Sequence, residues 1–214
     1  NIKLFNKKIK FTNKIENLGE ADFYFILTND DSIEEISKKI KTKNGMILHS
    51  SGTMGKDALS NHLNFGVFYP LQTFSFNKKI DFTRTPILIE GNSEKSLEKL
   101  KKLCQKMEVE FEEVDSKKRL HYHLAALFAN NFTNHILSST DVLINKFKLK
   151  KKFFIPIANE TFKKFQSNKS KESQTGPAVR NDVKTLKKHE EILKKSNYLN
   201  LYKIITKSIK KNDL

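Results

Sequence analysis

Apolar and polar positions along this chain follow two different periods, and the change from one to the other divides it. ADFYFILTND (21–30) is a short continuous apolar run ending in polar residues, the pattern of a buried parallel strand. Asp31 and Ser32 then offer an N-cap to a helix with Ile33, Ile36 and Ile40 on its inner face. Asn44-Gly45 closes that helix, and MILHSSG (46–52) reads as a second strand running into a turn of small residues. A short helix around 56–63 leads to FGVFYPLQTF (65–74), and TPILIEG (85–91) is a third apolar strand. A helix with Leu97, Leu100, Leu103 and Met107 inside follows, and then EVEFEEVD (108–115), which alternates as an edge strand does.

From Ser116 onwards no strand pattern remains. RLHYHLAALFANNFTNHILSSTDVLIN (119–145) has neither Gly nor Pro and predicts one long helix. Further helices are expected at about 151–167, interrupted by Pro156, at about 179–195, entered through Gly176-Pro177, and at about 197–210. The pattern predicts an α/β domain over 1–116 and an all-helical domain over 117–214.

Composition narrows the class. The 214 residues are 37% hydrophobic and 30% charged, too apolar for a disordered chain, and no apolar stretch is long enough to span a bilayer. One cysteine, Cys104, excludes a disulfide framework and a cysteine-rich metal site and fits a reducing cytoplasm. The net charge of +16 is concentrated late: residues 146–214 hold 19 basic and 6 acidic side chains. Nearly all of these cations are lysines without interleaved aromatic motifs or a Cys/His finger. That favours a solvated surface over a nucleic-acid partner.

Candidate chemistry sits at strand ends and on the long helix. The first strand ends at Asn29 and Asp30, and the second at His49, Ser50, Ser51 and Gly52. In open α/β sheets ligands bind outside the carboxyl ends of strands. Hydroxyls and a glycine there can hold a phosphate or a polar substrate, or can simply make the turn. Tyr69 and Gln72, in YPLQTF, are placed to form a loop wall. At 3.6 residues per turn His123, Asn130 and Asn134 share one face, with Ala125, Phe128, Phe132 and Ile136 on a neighbouring apolar face able to pack on the sheet. Imidazole and amide groups at a domain seam can bind a carbonyl or imine, with His123 as proton donor, or can bond to one another within the seam. Arg180 is the only arginine in the basic tail, and its planar fork suits a carboxylate, a phosphate or a buried Asp. A nucleophile elbow is absent, and His121 and His123 project from different helix faces, so neither serine hydrolysis nor a metal site is expected.

HSSG after a strand, GVFYPLQTFS, HLAALFANNFTNH and QTGPAVRND, in this order, resemble the bacterial Rossmann-like proteins with a C-terminal domain of unknown function, DUF2520. The resemblance covers the chain from about residue 18. That family is similar in architecture to ketopantoate reductase, pyrroline-5-carboxylate reductase and the 6-phosphogluconate dehydrogenase group. The resemblance therefore implies a Rossmann-like parallel sheet followed by an all-α domain like the 6-phosphogluconate dehydrogenase C-terminal domain. It also implies a homodimer through the helical half, a small-molecule substrate, and NAD(P)-dependent hydride transfer in the cleft between the domains. On this reading His123, Asn130 and Asn134 are the catalytic candidates. His49, Ser50, Ser51, Tyr69, Gln72 and Arg180 bind substrate, and Asn29, Asp30 and Gly52 face NADP or NAD.

The sequence departs from the family in two respects. It contains no GxGxxG and opens at Asn1 rather than Met, so the first βα unit is expected to lie outside it and cofactor affinity to be low. The related β-hydroxyacid dehydrogenases also place a Lys four residues before an Asn on the long helix. Ala126, Leu127 and Asn130 stand at those positions here. A non-catalytic nucleotide- or metabolite-binding module on the same fold, or a nucleic-acid binder using the basic half, are the alternatives.

Overall fold

The computed structural model describes residues 11–75, 80–167 and 172–211; the opening stretch NIKLFNKKIK lies outside them. Among the described residues five strands form one sheet in sequence order: β1 (Phe23–Ile26), β2 (Met46–His49), β3 (Phe65–Pro70), β4 (Ile87–Gly91) and β5 (Phe111–Glu113). The first three are parallel, β4 is antiparallel to β3, and β5 is parallel to β4. The α/β class is as the sequence predicts, with one reversal in the expected parallel order. Between β3 and β4 the described residues form only a 3₁₀ turn, Phe82–Arg84, and no covering helix. Without a crossover helix the chain returns beside β3 in the opposite direction.

β2 is buried along its whole length, which is why its sequence is a continuous apolar run rather than an alternation. Met46 and Leu48 join Phe68, Ile87 and Ile89 under helix α2 (Glu94–Lys106), together with Leu100 and Cys104. Burial there pushes the Cys104 thiol up to about 11. Ile47 joins Tyr24, Ile26, Leu59 and Phe65 under helix α1 (Asp30–Lys39), whose Ile33 is buried. β1, at one edge of the described sheet, is less buried than its apolar sequence suggests: Tyr24 and Ile26 face the core, while Phe25, on the opposite face, is exposed. β5 closes the other edge, as its alternation predicts.

The long helix is interrupted. Helix α3 (Ser116–Ala126) is capped by Asp115, whose carboxylate accepts the Lys118 amide at 2.6 Å. Leu127–Phe132 is then wound as a π-helix, and α4 runs from Thr133 to Lys146. Asn130 and Asn131 lie in the π segment, and Asn130 Nδ2 donates to Asn131 Oδ1 at 3.3 Å. Asparagine side chains compete with regular helical bonding. The wider winding breaks the i, i+7, i+11 spacing on which the expected shared face of His123, Asn130 and Asn134 depends. Phe128 and Phe132 are exposed rather than packed on the sheet, and Ile136 is exposed as well. The face that packs is the one carrying Arg119 and His123.

The chain divides into two compact units between Thr133 and Asn134, so α3 and the π segment belong with the sheet. The second unit contains α4, α5 (Ile155–Gln166), α6 (Val183–Leu193) and α7 (Tyr198–Lys211). Pro156 sits in the first turn of α5, where its missing amide costs nothing. Residues 176–182 form a turn rather than the start of α6; Gly176 and Asn181 have positive φ, and Asp182 caps the helix by accepting the Thr185 amide. Arg180 therefore belongs to that turn and not to a helix. The pair His189 Nδ1 and Tyr202 OH, 2.9 Å apart, joins α6 to α7. No helix is long and apolar enough to cross a membrane among the described residues.

Candidate substrate-binding site

The segment that follows β2 is built by its own side chains. His49 is fully buried; its Nδ1 accepts the Ser51 amide at 3.1 Å and its Nε2 donates to the Gly55 carbonyl at 3.3 Å. Both nitrogens are used in one neutral tautomer, and burial pushes its pKa down to about 4. Ser51 Oγ accepts the amides of Thr53 and Met54 at 3.1 and 3.0 Å, and Ser50 Oγ donates to the Phe68 carbonyl at 2.8 Å. Thr53 donates to Asp30, the first residue of α1. Thus His49, Ser50, Ser51 and Asp30 shape the turn before they could touch a ligand.

His123 comes down on this turn from α3. A Cβ built on Gly52 would stand 2.6 Å from His123 Nδ1 and 2.8 Å from its Cγ, so the ring packs directly on the glycine backbone. His123 Nδ1 is 3.1 Å from the Tyr69 hydroxyl, and the two rings meet edge to face at 6.2 Å. Burial holds the Tyr69 phenol above its ordinary pKa, so it stays protonated. If Tyr69 donates to Nδ1, one bond satisfies both groups and leaves the proton on Nε2. Nε2 has no hydrogen-bond partner among the described residues.

A charged network absent from the sequence reading lies beside this contact. Arg119, one helical turn before His123, is fully buried; it donates to Glu90 Oε2 on β4 and to the Met54 carbonyl. Glu90 also takes Lys56 Nζ at 3.0 Å and Ser116 Oγ at 2.9 Å. Burial alone would raise the Glu90 pKa, but the bonds from Arg119, Lys56 and Ser116 hold it below the ordinary carboxylate value. The signal was present in the sequence: only three arginines stand among 40 basic residues, and Arg119 is one of them.

The structure brings together His49, Ser50, Ser51, Gly52, Tyr69 and His123, with Asp30 tied in through Thr53. Gln72 is exposed, and its Oε1 accepts the Thr73 amide at 2.8 Å. Asn29 is exposed at the N-cap of α1 and makes no side-chain cap bond. Asn130 is exposed in the π segment, and Asn134 and Arg180 are exposed residues of the second unit. Arg180 lies near enough to Asp182 to help lower its pKa, after the larger effect of the Thr185 hydrogen bonds. No group of three His, Cys, Asp or Glu able to hold a metal occurs among the described residues.

A dinucleotide pyrophosphate does not fit the described residues. The α1 N-terminus carries Asp30 and Asp31 in its first turn, which oppose an anion. In the 50–55 turn the amides of Ser51, Thr53 and Met54 are taken by side chains, and His123 covers Gly52.

The sheet with its following helices defines the class as a Rossmann-like α/β protein with a helical C-terminal unit. It is similar to a Bacteroides fragilis protein provisionally named an NADP oxidoreductase, with 30% identity and a TM-score of 0.86 over 94% of this chain and 80% of that one. A Thermotoga maritima protein shares the fold at 21% identity and a TM-score of 0.69, over 87% of this chain and 76% of that one. Residues 85–209 match the family described as Domain of unknown function (DUF2520), and the chain belongs to that family. No curated protein matches the chain.

Proposed function

We propose that this is an oxidoreductase-like protein whose sheet unit binds a small carbonyl or imine substrate against the Gly52 turn, with His123 as proton donor. The observation that carries the reading is the Tyr69–His123–Gly52 contact. Tyr69 fixes the ring so that Nε2 keeps its proton; a substrate oxygen gaining negative charge would accept that proton while Nδ1 takes the Tyr69 hydroxyl proton, so the imidazole stays neutral. His49, with both nitrogens occupied, holds the turn and takes no part in proton transfer. The similarity to the Bacteroides protein supports the oxidoreductase class. The reading needs neither Asn130, Asn134 nor Arg180.

The same contact also fits a second reading, a metabolite-binding module on the same fold without hydride transfer. Both readings rest on the same contact of His123 with Tyr69 and the Gly52 turn. Titration of the labelled protein with small keto acids and cyclic imines, read on the His123 and Tyr69 ring signals, tests them. One class should shift both rings and lose about tenfold in affinity, the worth of roughly one hydrogen bond, in Tyr69→Phe and His123→Ala. If no member shifts either ring, or affinity survives His123→Ala, the site is wrong. Turnover of NADPH with the bound compound, at millimolar cofactor, would identify the enzyme.

A further inference from the structure

Arg119 grips three elements at once. Its Nη1 donates to Glu90 on β4, and its Nη2 to the Met54 carbonyl in the segment after β2 and, at 3.4 Å, to Ser116 at the start of α3. Its Nε is buried with no acceptor among the described residues. Such a network is a weak source of stability, because desolvating two charges offsets most of their attraction and an orphaned N–H adds a further cost. Its geometry is specific, since a guanidinium presents its donors in one rigid plane. His123 lies four residues further along the same helix face and reaches the same segment, at Gly52.

We propose that Arg119 is a positioning residue for the candidate site. By docking α3 on the Met54 carbonyl and Glu90, it sets the height and rotation at which His123 meets Gly52 and accepts the Tyr69 hydroxyl. It acts through His123 and touches no substrate. The inference rests on the reading of His123 as proton donor, but its observable is the ring tautomer, which needs no substrate. Its failure is therefore distinguishable from failure of the functional reading, which is a failure of ligand binding.

The test is nitrogen-15 ring spectroscopy on the full chain: wild type, Arg119→Lys, and the double variant Arg119→Met/Glu90→Leu. Lys keeps the charge but loses the fork; the double variant removes both charges and keeps apolar bulk. Tyr69→Phe supplies the spectrum of a ring without its partner. In the wild type the proton of neutral His123 sits on Nε2. In each folded variant the preference for Nε2 over Nδ1 falls by up to about tenfold, as when one hydrogen bond is lost, and approaches that of Tyr69→Phe. A folded variant that keeps the wild-type preference overturns the proposal. Loss of the folded sheet in both variants overturns it too, since Arg119 would then be holding the fold rather than placing His123.

Discussion

Acid should unfold the sheet unit through His49 before it acts on any carboxylate of shifted pKa. The imidazole is fully buried, accepts the Ser51 amide at Nδ1 and titrates at about 4, against 6.5 for an ordinary histidine. Protonating it would set an N–H against the Ser51 N–H. Its folded pKa lies below its unfolded one, so the unfolded chain binds the extra proton first. Stability is complete above about pH 6.5 and falls as the pH drops towards 4, by about 1.4 kcal/mol for each unit. Glu90, whose folded pKa is also depressed, contributes stability that is present above about 4.5 and lost below it. The window from 6.5 to 4.5 therefore isolates His49, with an expected loss of about 2–3 kcal/mol. Hydrogen exchange of the Ile47 and Leu48 amides in β2, measured against urea at stepped pH, reads the local stability. His49→Asn should be less stable at pH 7 but flat across the window. A wild type that is flat between 6.5 and 4.5, or a slope that persists in His49→Asn, refutes the reasoning.

Gly52→Ala should cost about 1–3 kcal/mol by urea unfolding, because the new methyl stands 2.6 Å from His123 Nδ1 and the ring must leave Tyr69; unchanged stability with the Tyr69 bond intact would show that the contact is loose. The chain should sediment at micromolar concentration as a homodimer joined through the second unit, where Phe153, Ile157, Phe165 and Ile204 are all more than 60% exposed and would gain by being covered; a stable monomer counts against it. Calorimetry with NADP(H) should give a Kd weaker than about 1 mM, since the amides of Ser51, Thr53 and Met54 are already engaged; tight binding would mean that a phosphate cradle lies elsewhere.

The strands were legible where burial alone decides them. The runs MIL (46–48) and ILI (87–89) are apolar because both of their faces are covered, and the structure places β2 and β4 there. The reversal between β3 and β4 was not legible, because direction depends on what crosses the sheet and not on the residues of either strand. His123 was readable from its place on a helix, whereas the π segment was not, since a change of winding leaves the amino-acid pattern looking helical. Arg119 shows a different limit. Scarcity of arginine pointed to Arg180, which is exposed, while the same scarcity applied equally to Arg119. What distinguishes them is the company of Glu90, 29 residues away, and of the Met54 carbonyl, 65 residues away, and a local pattern carries no such information.

The packing of α2 on the sheet also has a use at the bench. Cys104 is the only cysteine in the sequence, fully buried, with its thiol at about 11. At neutral pH only about one molecule in ten thousand carries the thiolate that maleimides and methanethiosulfonates attack. The unmodified chain is therefore its own blank in labelling experiments. Cysteines introduced at exposed sites such as Lys102 and Lys187 would take spin labels or fluorophores with little background, one in each unit. Distances between such labels, followed as keto acids or imines are added, would register ligand-driven movement without any need to engineer the native thiol away.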